Sequence, residues 1–104
     1  MWTLGICDDD PHFALELSKR LRDLCAVKLP ERIDCRVLSS FSSAAEVLAF
    51  LENNTINVLF LDIDMPGTNG FQLAEIIREK DSDTVIIFVS AYDDFVYSSF
   101  AYSP

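Results

Sequence analysis

The chain has 104 residues, half of them hydrophobic, and carries 17 Asp and Glu against 8 Lys and Arg, a net charge of −9. That is enough for one domain around one core, and the acid excess excludes nucleic-acid binding by this chain, which needs a basic surface. No run approaches the roughly 20 apolar residues of a membrane span, and the amino terminus lacks a charged-then-apolar signal segment, so a cytoplasmic protein with no membrane contact is expected.

Residues 3–7 read as a first strand. Its apolar run, Leu4-Gly5-Ile6-Cys7, ends on Asp8-Asp9-Asp10-Pro11. Asp10 followed by Pro11 is an N-cap with proline at the first helical position. Phe13, Leu17, Leu21 and Leu24 then give a helix one apolar face, and the helix stops before Pro30. His12, in the first turn, reads as a surface histidine rather than a phosphate carrier. Six of the eight basic residues (Lys19, Arg20, Arg22, Lys28, Arg32, Arg36) fall in this region and read as a solvated face. Ile33 to Leu38 alternates loosely, as an edge strand does. Ser43-Ala44-Ala45-Glu46 is a capping box. It opens a helix with Val47, Leu48 and Leu51 on its apolar face, and Asn53-Asn54 ends it.

Ile56 to Leu61 reads as a strand buried on both faces. It runs into Asp62, and Met65-Pro66-Gly67 and Asn69-Gly70 then turn the chain. Gly70 leads into a helix with Phe71, Ala74 and Ile77 on one side. Thr84 to Val89 is a further buried strand, followed by Ser90-Ala91. Asp93-Asp94 favours a last helix over residues 93–102, carrying Phe95, Tyr97, Phe100 and Tyr102. The three cysteines, odd in number and without C-x-x-C spacing, are expected to be buried reduced thiols.

The order βαβαβαβα predicts a parallel sheet with helices on both faces. Open α/β sheets place their sites at the carboxyl ends of the strands. Asp8, Asp9 and Asp62 are predicted to meet there, with the Ser90 hydroxyl at the same edge. Carboxylates so close cannot all stay ionised without a cation, and an all-oxygen donor set favours Mg²⁺.

An acid pair after the first strand, Asp62-Ile63-Asp64-Met65-Pro66-Gly67 after the third and Ser90-Ala91 after the fourth resemble a response-regulator receiver domain. The wording is closest to receivers of LytTR-type transcription regulators. The resemblance spans residues 1–104 as a single receiver domain. It implies a flavodoxin-like (CheY-like) doubly wound sheet in strand order 2-1-3-4, with the family's fifth strand and helix, its lysine and its switch aromatic lying beyond Pro104. It also implies a role for each site residue. Asp62 accepts a phosphoryl group from a sensor histidine kinase, Asp9 binds Mg²⁺ directly, Asp8 acts through water, and the backbone carbonyl of Asp64 completes the protein's share. Ser90 hydrogen-bonds the arriving phosphoryl group.

Such a module is not a turnover enzyme, and its output would run through a LytTR-type DNA-binding domain absent from this chain. Without a fifth strand, residues 84–90 are expected to form an exposed edge. The chain would then be a homodimer, associate through that edge, or exchange its last helix. Two other readings stand beside this one. Asp62-Ile63-Asp64 also resembles the D-x-D of haloacid-dehalogenase-type phosphotransferases, although that motif belongs on a first strand. A phosphorylation-independent pseudo-receiver is opposed by the intact Asp8, Asp9, Asp62 and Ser90 set.

Overall fold

In a computed structural model of the chain, residues 1–27, 34–65, 67–80, 83–89 and 100–102 are described. The apolar runs become strands and the periodic segments become helices. They run β1 (Trp2–Cys7), α1 (Pro11–Ala26), β2 (Cys35–Phe41), α2 (Ala44–Leu51), β3 (Val58–Asp62), α3 (Gly70–Lys80), β4 (Val85–Val89) and β5 (Phe100–Tyr102). The sheet order is β2-β1-β3-β4-β5. The pairings β1–β2, β1–β3 and β3–β4 are all parallel, as the repeated crossovers require. Among the described residues no helix is long and apolar enough to cross a membrane.

Local signals explain the boundaries. The Asp10 carboxylate accepts from the amides of His12 and Phe13 at 3.0 and 3.3 Å, with Pro11 inside the start of α1. Ser43 caps α2 by accepting from the Glu46 amide at 3.2 Å. Glu46 returns the favour one residue early, accepting from the Ser42 amide at 3.3 Å rather than from Ser43.

Strand alternation sends side chains to two faces. Under α2 and α3, Cys7, Val47, Leu59, Leu61, Leu73, Ile77, Ile86 and Phe88 form the larger core, each with no solvent exposure. Under α1, Ile6 packs with Ala14, Leu21 and Val37. The α1 stripe is rotated from the expected one: Ala14, Ser18 and Leu21 are its buried residues, while Leu24 is 68% exposed. Small side chains at 14 and 18 let the helix approach the sheet, and this decides the face over the larger leucines.

Three further expectations are corrected. The strand expected over Ile33 to Leu38 is observed over Cys35–Phe41, Ile33 lying outside the described residues. It runs on to Phe41 because a register shift between Leu4 and Ile6 of β1 lets β2 continue pairing, Ile6 with Ser40 and Cys7 with Phe41. The cysteines are not all reduced thiols: Cys25 and Cys35 form a disulfide, and Cys7 alone is free and buried. At the carboxyl end, residues 100–102 are not helical. They form β5, antiparallel to β4, with Ile86 opposite Tyr102 and Phe88 opposite Phe100. The β4 edge at these positions is therefore paired within the chain rather than open as expected. Residues 93–99 of the expected helix lie outside the described residues.

Candidate functional site

Two strand ends build the site. β1 and β3 are parallel neighbours with Cys7 opposite Leu61, so the residues that follow each strand emerge side by side. Asp62 is the last residue of β3 and Asp8 follows β1; both are buried, and Asp9 is exposed. One carboxylate oxygen from each of Asp8, Asp9 and Asp62 lies within 4.8 Å of the others. The three acids singled out from the sequence are therefore brought together.

Backbone amides fix two of them. Asp8 Oδ1 accepts from the Asp10 amide at 2.8 Å, and Asp62 Oδ1 accepts from the Asp64 amide at 3.2 Å. Asp64 itself is exposed beyond β3. Val89 pairs with Asp62 across β3 and β4. Ser90, next in sequence, lies outside the described residues.

The electrostatics are those of a crowded anionic site. Burial pushes the Asp62 carboxyl up to about 7, and the neighbouring Asp8 charge adds to the rise, against the Asp64 amide, which lowers it. Asp8 is also raised, first by burial and then by the Asp9 and Asp10 charges, against the Asp10 backbone amide and, more weakly, a hydrogen bond with Asp62, which lower it. The two carboxyls thus titrate as a coupled pair. Hard oxygen donors, two of them desolvated and repelling each other, suit a small hard cation such as Mg²⁺. Below the site, Cys7 donates its S–H towards the Ser43 carbonyl at 3.7 Å and the Met65 sulfur at 3.6 Å. Burial, then Asp8 and Asp62, pushes this thiol up to about 12, so it is inert.

One residue matters more than its sequence context suggested. The Gly70 amide donates to the Ile63 carbonyl at 2.8 Å, closing the turn after Asp62. A Cβ at position 70 would collide with the Asp62 carbonyl oxygen and lie 2.9 Å from Ile63 Cα. Glycine therefore lets α3 start directly against the backbone of the site. Its signal was a glycine inside the first turn of a helix, directly after the Asn69 cap, where glycine is costly.

Comparison with known proteins agrees with this geometry. The family model for the response regulator receiver domain matches residues 4–103. Sensory transduction protein LytT of Oceanobacillus iheyensis is 33% identical over 92 residues, covering 86% of this chain and 37% of that protein. The positive alginate biosynthesis regulatory protein of Pseudomonas aeruginosa is 29% identical over 98 residues, 94% of this chain and 37% of that protein. The chain thus spans just over a third of the length of these relatives. The response regulator TrrA of Thermotoga maritima, solved in complex with Mg(2+)-BeF, superposes with a TM-score of 0.73 at 25% identity, over 93% of this chain and 76% of that one. TrrA has also been solved in complex with the histidine kinase ThkA; there the TM-score is 0.72 at 25% identity, over 92% of this chain and 74% of that one. With its family model reaching almost from end to end and its sheet laid over that of a solved response regulator, the chain belongs to the response regulator receiver domains.

Proposed function

We propose that this receiver accepts a phosphoryl group on Asp62 from the phosphohistidine of a sensor histidine kinase, in the cytoplasm. The observation that carries the proposal is the meeting of Asp8, Asp9 and Asp62 at one sheet edge, with Asp62 at the buried strand end. A carboxylate oxygen of Asp62 attacks phosphorus, the N–P bond breaks, and the histidine leaves with a proton. Asp62 reacts ionised, so its raised proton affinity opposes the reaction until a cation offsets the neighbouring charges. Mg²⁺, held by Asp8, Asp9, Asp62 and the Asp64 backbone carbonyl, would neutralise charge on the transferring phosphoryl oxygens. The Asp64 amide orients Asp62, and the Asp10 amide orients Asp8. Ser90 would hydrogen-bond a phosphoryl oxygen once it arrives.

The chain accepts the group on its own side chain and does not turn over substrate. Its similarity to LytT and to the alginate regulator supports an output through a LytTR-type DNA-binding domain elsewhere in a longer protein, and hence transcription control. The test is labelling by a small acyl-phosphate donor with and without Mg²⁺. Mg²⁺-dependent label on Asp62 supports the reading. Absence of label, or catalytic hydrolysis of the donor without label, overturns it.

A further inference from the structure

The Cys25–Cys35 bridge stands at the far end of the molecule from the acid cluster. Cys25 is in the last turn of α1 and Cys35 is the first residue of β2, so the bond ties a helix end to the amino-terminal edge of the sheet. Their Cα atoms are 5.5 Å apart, and each of the two elements has other contacts that hold it. β2 is held by its own ladder to β1, with Trp2 opposite Cys35 and Thr3 opposite Arg36. α1 is held by Ala14 and Leu21 packing with Ile6 and Val37. Neither the β1–β2 ladder nor the buried core beneath α1 is built from the bridge itself.

Access and charge add to this. Cys25 and Cys35 are half-buried, with exposed residues on both sides of each, whereas Cys7 has no exposure. Segment 19–36 holds six of the eight Lys and Arg residues but three of the seventeen Asp and Glu, in a chain of net charge −9. Arg22 lies one helical turn before Cys25, Arg36 follows Cys35, and both are exposed. Local positive charge draws anionic thiols.

We propose that Cys25 and Cys35 form a reversible thiol–disulfide site that exchanges with an anionic low-molecular-weight thiol of the glutathione class, and that its bond state sets how firmly the end of α1 is held to β2. The small thiolate attacks one sulfur and the Cys25–Cys35 S–S bond breaks. The departing cysteine thiolate takes up a proton. A second small thiol resolves the mixed disulfide. The balance is one protein disulfide and two small thiols giving two protein thiols and one small disulfide.

The experiment equilibrates the chain in glutathione buffers spanning about five decades of reduced-to-oxidised ratio. Free thiols are then alkylated and located by mass spectrometry, with circular dichroism recorded in parallel. Cys25 and Cys35 should pass together from bridged to doubly alkylated within that range, with secondary structure unchanged and Cys7 untouched. On reduction, amide exchange over residues 22–27 should quicken about tenfold. Opening of the bridge only when the fold is lost, or no bridge at the most oxidising ratio, would overturn the proposal. In a second measurement, the rate of reduction by glutathione relative to an uncharged thiol should fall about threefold or more in the Arg22→Gln, Arg36→Gln variant. An unchanged ratio would overturn the assignment to an anionic thiol.

Discussion

The two ends of the sheet are built on opposite electrostatic plans. At the carboxyl end Asp8 and Asp62 are buried beside each other and beside Asp9, with carboxylate oxygens of all three within 4.8 Å of one another. At the amino end polar groups are matched. Asn57 Oδ1 accepts from the Thr3 amide at 2.8 Å and the Thr3 hydroxyl at 3.1 Å, and the Asn57 amide donates back to the Thr3 carbonyl at 3.0 Å. The buried Thr84 hydroxyl donates to the Ile56 carbonyl at 2.9 Å. The amino end locks β1, β3 and β4 together so that the carboxyl end can hold carboxylates in an arrangement they would not adopt by themselves. Fold stability and the site's reactivity are drawn from different ends of the same strands.

Removing the central charge should show this most strongly. Asp62→Asn keeps the shape but has no nucleophile, so labelling by a phosphodonor should vanish. In metal-free buffer at neutral pH the same variant should be more stable than the parent by about 1–3 kcal/mol, because one member of a repelling pair is gone. Label persisting at Asp64 would show that the wrong acid has been chosen.

The pH dependence tests the same end without mutation. The folded Asp62 carboxyl sits at about 7 against an ordinary 3.8, so between those values the folded state keeps a proton that the unfolded chain has released. The resulting stability is full below about pH 4 and is lost as pH rises through about 7, and Asp8, also raised, acts in the same direction. At about 1.4 kcal/mol per unit the change is a few kcal/mol. Glu46, lowered by its hydrogen bonds with Ser42, opposes the trend. Subtracting the urea-denaturation profile of Asp62→Asn isolates the site's share. That difference should fall with pH in EDTA and flatten in Mg²⁺; a difference that rises with pH would contradict the charge pair described here.

Gly70→Ala probes how closely α3 is set against Asp62. The added methyl meets backbone rather than a movable side chain, so about 1–3 kcal/mol of stability should be lost. Phosphodonor labelling should slow as Asp62 shifts. Wild-type labelling with lowered stability would place the relaxation in α3 alone.

Asn57→Ala makes the smallest change and sharpens the contrast. It leaves the Thr3 amide without its acceptor and the Thr3 hydroxyl with only the Thr55 carbonyl, a loss of about 1–2 kcal/mol. That loss should be the same in Mg²⁺ and in EDTA, with labelling intact. A change in labelling would mean that the two ends are not independent.

What could be read from the residues was whatever a local pattern carries. Apolar runs ending on Asp8 and Asp62 gave the strands and their shared edge, and Asp10-Pro11 and Ser43 gave helix starts, because each signal lies within a few residues. Contacts set by tertiary topology were not legible. Nothing in the spacing of Cys25 and Cys35 announces a bridge; the α1–β2 crossover brings them together. Phe95, Tyr97, Phe100 and Tyr102 read as a helix face, yet Phe100 and Tyr102, two apart, equally suit a strand, and pairing with β4 decided in its favour. The close approach of Gly70 to Asp62 likewise appears only once α3 is packed.

The strand order also governs how the chain folds as it is made. β1 sits between β2 and β3, and Thr3 meets Asn57 across 54 residues of sequence. At about 5–20 residues per second, a ribosome takes several seconds to deliver that partner. The buried residues beneath α1 end at Val37, and β3 adds only the half-buried Phe60, so β1, α1 and β2 can associate while β3 is still inside the tunnel. The opposite face waits for Phe88. Synthesis therefore closes the α1 side first and exposes the other side of β1, with Cys7, until the second half arrives. Such long-range parallel pairing slows folding, and in that interval the unfinished sheet is open to chaperones and proteases.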